Sequence, residues 1–281
     1  MLHTSALLVT LRLSTFAPKR KDKRVTAAVL KQHGVTSADL GAWSTTLLPA
    51  HATQPMTSLA SRIRKWHGSM TLCWDRDGTA LLPNLKYFDY QQEKLELEGE
   101  WDTAVAKFCR EYPDYLAEAK RTLNGLFNPA LYPASSEVHR KFAFRVDMEP
   151  IPDAADFRIA LSHAERADLQ RQMEVRLAEA AKAAETDLLQ RVAEPLTKLI
   201  ERLANPDKTV KDPLIKSLGT VLDSIDAYNV TDNPAIRSLR DQIRGGLMPY
   251  TASQLTHDAS LRSAAAERAQ AIMEQMEALY A

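Results

Sequence analysis

The sequence predicts an α+β protein that is mostly α, with a small antiparallel sheet and a helical bundle or long helical hairpin. Three observations predict it. Residues 6–16 alternate apolar and polar side chains with period two. Two later stretches, Phe142 to Met148 and Phe157 to Leu161, alternate in the same way. Beyond Ser162, apolar residues recur at three- and four-residue intervals almost to the last residue. A lone strand leaves its backbone donors and acceptors unpaired, so the first stretch needs the other two. The expected sheet therefore joins residues 6–16, 141–149 and 156–161. The expected domains are an α+β domain over 1–162 and a helical region over 163–281.

Each element follows from local chemistry. Leu7, Val9, Leu11 and Leu13 share one strand face, and Leu8, Thr10, Arg12 and Ser14 share the other. Pro18 and the charges after it end the strand. Thr26 to His33 predicts a short helix stopped by Gly34. Leu59, Ile63, Trp66, Met70 and Cys73 are spaced by 4, 3, 4 and 3, which predicts a helix over 57–74 capped by Thr57 or Ser58. The run Asp75-Arg76-Asp77-Gly78 is a turn signal, and Pro83-Asn84 opens the next helical segment. From Leu85 to Leu123, the residues Phe88, Leu95, Val105, Phe108, Tyr112, Leu116 and Leu123 sit near helical spacing. Gly99 and Pro113 are expected to break or bend that segment, and Asn124-Gly125 to close it.

The last third is helical by signal. Ser162 and Glu165 form a capping-box pattern. The stripe that follows runs through Leu169, Met173, Leu177, Ala181, Ala184, Leu188, Val192, Leu196, Leu199 and Leu203, with a mean spacing of about 3.8. That exceeds the ~3.5 of a heptad seam and argues against a regular left-handed coiled coil. Pro195 is expected to kink this helix or start a second one. Leu214 to Ile225 marks a further helix, Asn233-Pro234 starts another that Gly245-Gly246 ends, and Thr251 with Gln254 caps a last one. The alanine-rich face around Ala178 to Ala184 allows close helix approach, within this chain or with another.

Composition narrows the function. Lysine plus arginine number 36 and aspartate plus glutamate 36, so a polyanionic partner would have to be drawn by a local patch. Only 9 glycines occur, which weighs against glycine-rich phosphate loops. Cys73 and Cys109 read as reduced, buried thiols. No run approaches the ~18 apolar residues of a membrane span. The expectation is a soluble, cytoplasmic protein.

The strongest local patch is Lys19-Arg20-Lys21-Asp22-Lys23-Arg24, five cations and one anion between a strand and a helix. Lys19, Arg20, Lys21, Lys23 and Arg24 are the candidate phosphate-contacting residues, read against a solvated connection. Arg12 and Arg145 extend the patch if the sheet pairs as expected, while Phe16, Phe142 and Phe144 suit the core beneath it. Arg62, Arg64, Lys65 and His67 form a second basic cluster, but Trp66 beside them lies on an apolar stripe. The acids from Asp89 to Asp102 read as a solvated face. Asp75 and Asp77 begin like a calcium loop but lack its later ligands. The seven histidines are scattered, with no zinc spacing, and no nucleophile elbow or P-loop occurs. No catalytic residue, metal site or cofactor is assigned, and the expectation is a protein that is not an enzyme.

Several stretches together resemble a known family. They are the opening strand with "KRKDKRVT", then "WDRDGTALLPNLKYFDYQQE", "FCREYPDYL", "LYPASSE" and "PIPDAADFRIAL". In this order they are similar to an uncharacterised family, a domain of unknown function of tailed phages, plasmids and integrative elements. The resemblance covers roughly residues 5–205. Genes of that family often lie near ones for a MoxR-type AAA+ ATPase and a von Willebrand A-domain protein. That neighbourhood implies a role in a remodelling or assembly system; with the helical surface and the absent catalytic signatures, the expectation is a non-enzymatic accessory protein that acts by protein contacts and self-association as a homo-oligomer, as client or adaptor of an AAA+ remodelling system. The alternative is a sequence-independent DNA-binding protein of recombination or genome protection.

Overall fold

The computed structural model describes residues 2–35, 41–75, 78–152 and 162–280. The fold is α+β and mostly helical, with a four-stranded antiparallel sheet and a separate two-stranded ribbon. After a single helical turn α1 (Leu2–Ser5), the strand β1 (Ala6–Ser14) enters the larger sheet. Its order is β4-β5-β1-β6, with β4 Leu72–Cys73, β5 Thr79–Pro83 and β6 Ala143–Pro150. The expected partnership of the amino-terminal strand with residues near 145 is present. The Ser14 hydroxyl at the end of β1 donates to Lys141 O just before β6, 3.3 Å away. The expected strand at 156–161 lies outside the described residues.

The other neighbour of β1 corrects the expectation. Ala6 pairs with Pro83 and Thr10 with Thr79, antiparallel, and β4 pairs with the far side of β5. The sequence signals a turn at 75–78 and a helix start at Pro83-Asn84, and the run between them is too short and too uniformly apolar to read as a strand. Proline is tolerated there, at the strand's last residue, where the ladder ends. The first half of β1 is likewise buried on both faces, with Ala6, Leu8 and Val9 all enclosed.

The chain divides into two units. The first contains Met1–Thr10, Met70–Phe88 and Met148–Ala281. Its helices are α5 (His163–Leu203), α6 (Asp212–Tyr228), α7 (Pro234–Leu247), α8 (Ala252–His257) and α9 (Ala259–Tyr280). The expected caps are in place. Ser162 accepts from Glu165 N while the Glu165 carboxylate takes Ser162 N, Asn233 accepts from Ala235 N ahead of Pro234, and Thr251 accepts from Gln254 N. Pro195 neither ends nor restarts α5, which is continuous and buries that proline. The last helix is interrupted at Asp258, whose carboxylate accepts from Ser260 N and Leu261 N and so begins α9. Leu188, Leu196, Leu199, Leu218, Leu222, Ile243, Leu255 and Met276 form one core with Ala6, Leu8 and Leu81 of the sheet. Arg240 and Arg244 of α7 pair with Asp226 and Asp223 of α6 across the outside. Residues 162–179 bury no side chain; enclosure of α5 starts at Ala180.

One polar group holds this unit from inside. Arg262 of α9 is buried, and its Nε donates to Leu203 O at 2.9 Å. Its Nη2 donates to Asn205 O at 2.5 Å, to Lys208 O at 2.7 Å and to Arg202 O. The last carbonyls of α5 and the turn before α6 thus share one guanidinium.

The second unit contains Leu11–Ser69 and Asp89–Asp147. It holds α2 (Lys23–Gln32), α3 (Ala50–Met70) up to Ser69, and the body of α4 (Tyr87–Leu123) from Asp89. Helix α3 begins seven residues before the expected Thr57 and runs through Pro55. It ends at Met70, so Cys73 belongs to β4 and is exposed, while Cys109 is half-buried; neither is the enclosed thiol expected. Helix α4 is unbroken at both Gly99 and Pro113. Its buried residues are Tyr90, Leu97, Trp101, Phe108, Tyr112 and Ala119. They advance in two series of eleven, 90–101–112 and 97–108–119, close to three whole turns of a straight helix. Expected stripe members Phe88 and Leu95 point to solvent instead. Phe16 packs on Phe108 and Tyr112, and the half-buried Phe142 and Phe144 meet Trp101 edge-on, so all three aromatics line the core as expected.

Candidate functional site

The basic stretch forms structure rather than a loop. Lys19–Lys21 is the strand β2, paired antiparallel with β3 (Ser44–Thr46) in the register Lys19 to Thr46, Arg20 to Thr45 and Lys21 to Ser44. One step further, Asp22 N donates to Trp43 O at 2.9 Å. Strands of three residues carry no readable periodicity, which is why the stretch read equally well as a connector.

Asp22 decides what this ribbon presents. The only acid of the stretch is 2% exposed. Its Oδ1 accepts from Arg24 N at 3.0 Å and Val25 N at 3.2 Å, capping α2. The anion is therefore turned inward, while Lys19, Arg20, Lys21, Lys23 and Arg24 are all exposed. Strand alternation puts Lys19 and Lys21 on one face and Arg20 on the other, so the cations line the ribbon's edge and both flanks. Arg24 Nη2 donates to Gly125 O at 3.4 Å, which places the start of α2 beside the carboxyl end of α4. The last turn of α4 adds exposed Lys120 and Arg121. Asp22→Ala removes the cap and is expected to cost about 1–2 kcal/mol; the midpoint of urea unfolding measures it.

The proposed extensions of the patch behave differently. Arg12 Nε donates to Asp147 Oδ2 at 2.5 Å and Arg145 bonds the other carboxylate oxygen. Hydrogen bonds from the two guanidiniums, Arg12 first, hold the Asp147 carboxyl below the usual carboxylate range. One carboxylate thus offsets half of that pair's charge. In the second basic cluster, Trp66 is buried and stacks on Tyr90 with 4.5 Å between ring centroids. Arg62 is tied to Glu100.

Sequence reasoning missed Trp43, which is 45% exposed on the ribbon. Its signal was available. It stands in "GAWSTT", flanked by small and polar residues and on no apolar stripe.

Two grooves offer alternative sites. One of about 710 Å³ lies between α3 and α4, lined by Pro55, Leu59, Arg62, Gly99, Glu100 and Lys107. Its charges are the Arg62–Glu100 ion pair and a lysine at the rim. The other, about 600 Å³, runs along α5 beside Cys73. Burial, and then the carboxylates of Asp187 and Asp75, raise the Cys73 thiol above its ordinary value, the reverse of an activated nucleophile. Among the described residues, no group of three or more His, Cys, Asp and Glu side chains converges as for a metal ion. No described helix is long and apolar enough to cross a membrane. No family model matches the chain, and neither a curated protein nor a solved structure matches it.

Proposed function

We propose that the protein is a binding protein without a catalytic centre, and that its basic ribbon holds nucleic-acid phosphates without regard to sequence. One observation carries this reading: the single acid of the 19–24 stretch is buried as a helix cap, which leaves an outward surface of five cations on a hydrogen-bonded frame. Such contacts position a backbone and carry no base information. Replacing Lys19, Arg20, Lys21, Lys23 and Arg24 by glutamine is expected to abolish gel-shift binding of a 20-nucleotide strand. The wild-type affinity is expected to fall with salt by about 0.7 logarithmic units per phosphate contacted, per decade. Undiminished binding by the five-fold variant sinks the reading.

A second reading rests on a different observation. Leu85 is 75% exposed and Phe88 82%, and α5 runs from Ser162 to Glu179 without burying a side chain. Large exposed apolar side chains mark contact surfaces. They support an accessory protein of a phage or mobile element that self-associates. The family resemblance supplies an AAA+ ATPase or von Willebrand A-domain protein as further partner. Light scattering after size-exclusion chromatography tests this directly, because a strict monomer at every concentration removes the self-association.

A further inference from the structure

The exposed tryptophan on the ribbon has the geometry of a stacking platform. We propose that Trp43 stacks against an unpaired nucleobase, so that the surface selects single strands over duplex. This rests on the phosphate-binding reading of the ribbon and adds the group that recognises the base.

Three observations converge on it. First, the residue opposite Trp43 is Asp22, so alternation puts Arg20 on the face of the ribbon that carries Trp43 and Lys21 on the other. The basic stretch thus runs along the chain facing Trp43, where its cations can hold phosphates next to a stacked base. Second, Trp43 is fixed from both ends of its own peptide. Its N–H donates to Thr26 Oγ1 at 2.9 Å and its C=O accepts from Asp22 N at 2.9 Å. Thr26 Oγ1 in turn donates to Asp22 O at 2.7 Å, which ties Trp43 to the first turn of α2. The backbone that carries the indole is thus set before a base arrives, so only the side-chain torsions remain to be ordered. Third, burying an indole is strongly favourable, and the other tryptophans are enclosed at 8% (Trp66), 7% (Trp74) and 4% (Trp101) exposure. Trp43 alone is left open, beside positive charge. A partner that is anionic and has apolar faces meets both demands, and a single-stranded nucleic acid has them in alternation. Duplex DNA has the charge but hides its base faces in the stack.

The test uses the full chain and a 20-nucleotide oligothymidylate, with a 20-base-pair duplex for comparison. Trp43 is the accessible indole, so the strand is expected to quench its fluorescence saturably. Trp43→Ala is expected to lose about 5- to 150-fold in affinity for the single strand. Trp43→Phe keeps an aromatic face and is expected to retain most of it. The salt slope should be unchanged in both variants, because the phosphate contacts remain. An exposed site makes misfolding of these variants easy to exclude by circular dichroism. If the single strand binds wild type and Trp43→Ala equally, the stacking role is overturned while the basic ribbon stands. If the wild type binds no strand at low salt, both proposals fall. Duplex affinity equal to that of the single strand overturns the selectivity. A Trp43 emission shift that tracks protein concentration without oligonucleotide shows the surface covered by a second copy, and also overturns the proposal.

Discussion

Arg262→Met is expected to destabilise the protein by on the order of 3–5 kcal/mol. The substitution keeps most of the apolar stem and removes the guanidinium. The carbonyls of Arg202, Leu203 and Lys208 then lose this donor, and that of Asn205 keeps only Lys208 N, 3.0 Å away. They belong to the end of α5 and the turn that follows, where the helix supplies no N–H of its own. A buried acceptor left unpaired costs about 1–3 kcal/mol, and the four losses are not additive because some carbonyls will turn toward water. Arg262→Lys is expected to recover only part of the loss, since an ammonium offers three donors from one point and no planar fork. Urea unfolding followed by circular dichroism reads both variants. A loss under ~1 kcal/mol for the methionine variant shows that water serves these carbonyls equally well.

The second large effect is a dependence on pH set by His67. Its Nδ1 lies 2.8 Å from the Tyr90 hydroxyl in a site enclosed by Trp66 and Tyr90. Burial lowers its pKa from 6.5 to about 4, and burial, then Glu98, pushes the Tyr90 phenol above its usual range. Between those two histidine values, the unfolded chain takes up a proton that the folded chain refuses. Stability from this residue is therefore complete above pH 6.5, falls as pH drops toward 4, and changes no further below that. The full span amounts to roughly 3 kcal/mol. Many carboxylates titrate in the same range, so the informative quantity is the difference between wild type and His67→Gln. That difference is expected to favour wild type less at pH 4.5 than at pH 7, because glutamine can keep a bond to Tyr90 without titrating. Parallel stability curves for the two proteins rule the effect out.

What could be read in advance was local, and what could not was long-range. Ser162 with Glu165, Asn233 with Pro234 and Thr251 with Gln254 marked helix starts correctly, because each cap is made within four residues. The pairing of β1 with β6 was legible because an isolated strand must find a partner and the alternation near residue 145 is clean. The strand at 79–83 was hidden by its length and its closing proline. Gly99 and Pro113 were expected to break or bend α4, and Pro195 to kink α5 or start a second helix; neither helix breaks, and packing overrides the propensity to end there, as Phe108, Tyr112 and Ala119 do around Pro113. The apolar face of α4 was misplaced because Tyr90 and Trp101 carry it in steps of eleven, whereas Phe88 and Leu95 fit a simpler spacing. Arg262 could not be foreseen at all, since its carbonyl partners stand 54–60 residues earlier. At the candidate site, the charge of residues 19–24 was plain, but the inward turn of Asp22 depends on a ladder too short to leave a pattern.

The shared core of β1 with the carboxyl-terminal helices has a consequence for synthesis on the ribosome. Ala6 and Leu8 are made well before Ile243, Leu255 and Met276, yet they are enclosed together with them. At about 5–20 residues per second, the opening strand waits some tens of seconds before its covering helices emerge. During that interval β1 can pair with β5 and β6 but its apolar face stays uncovered, which makes the nascent chain a client for whatever holdase stands at the exit tunnel.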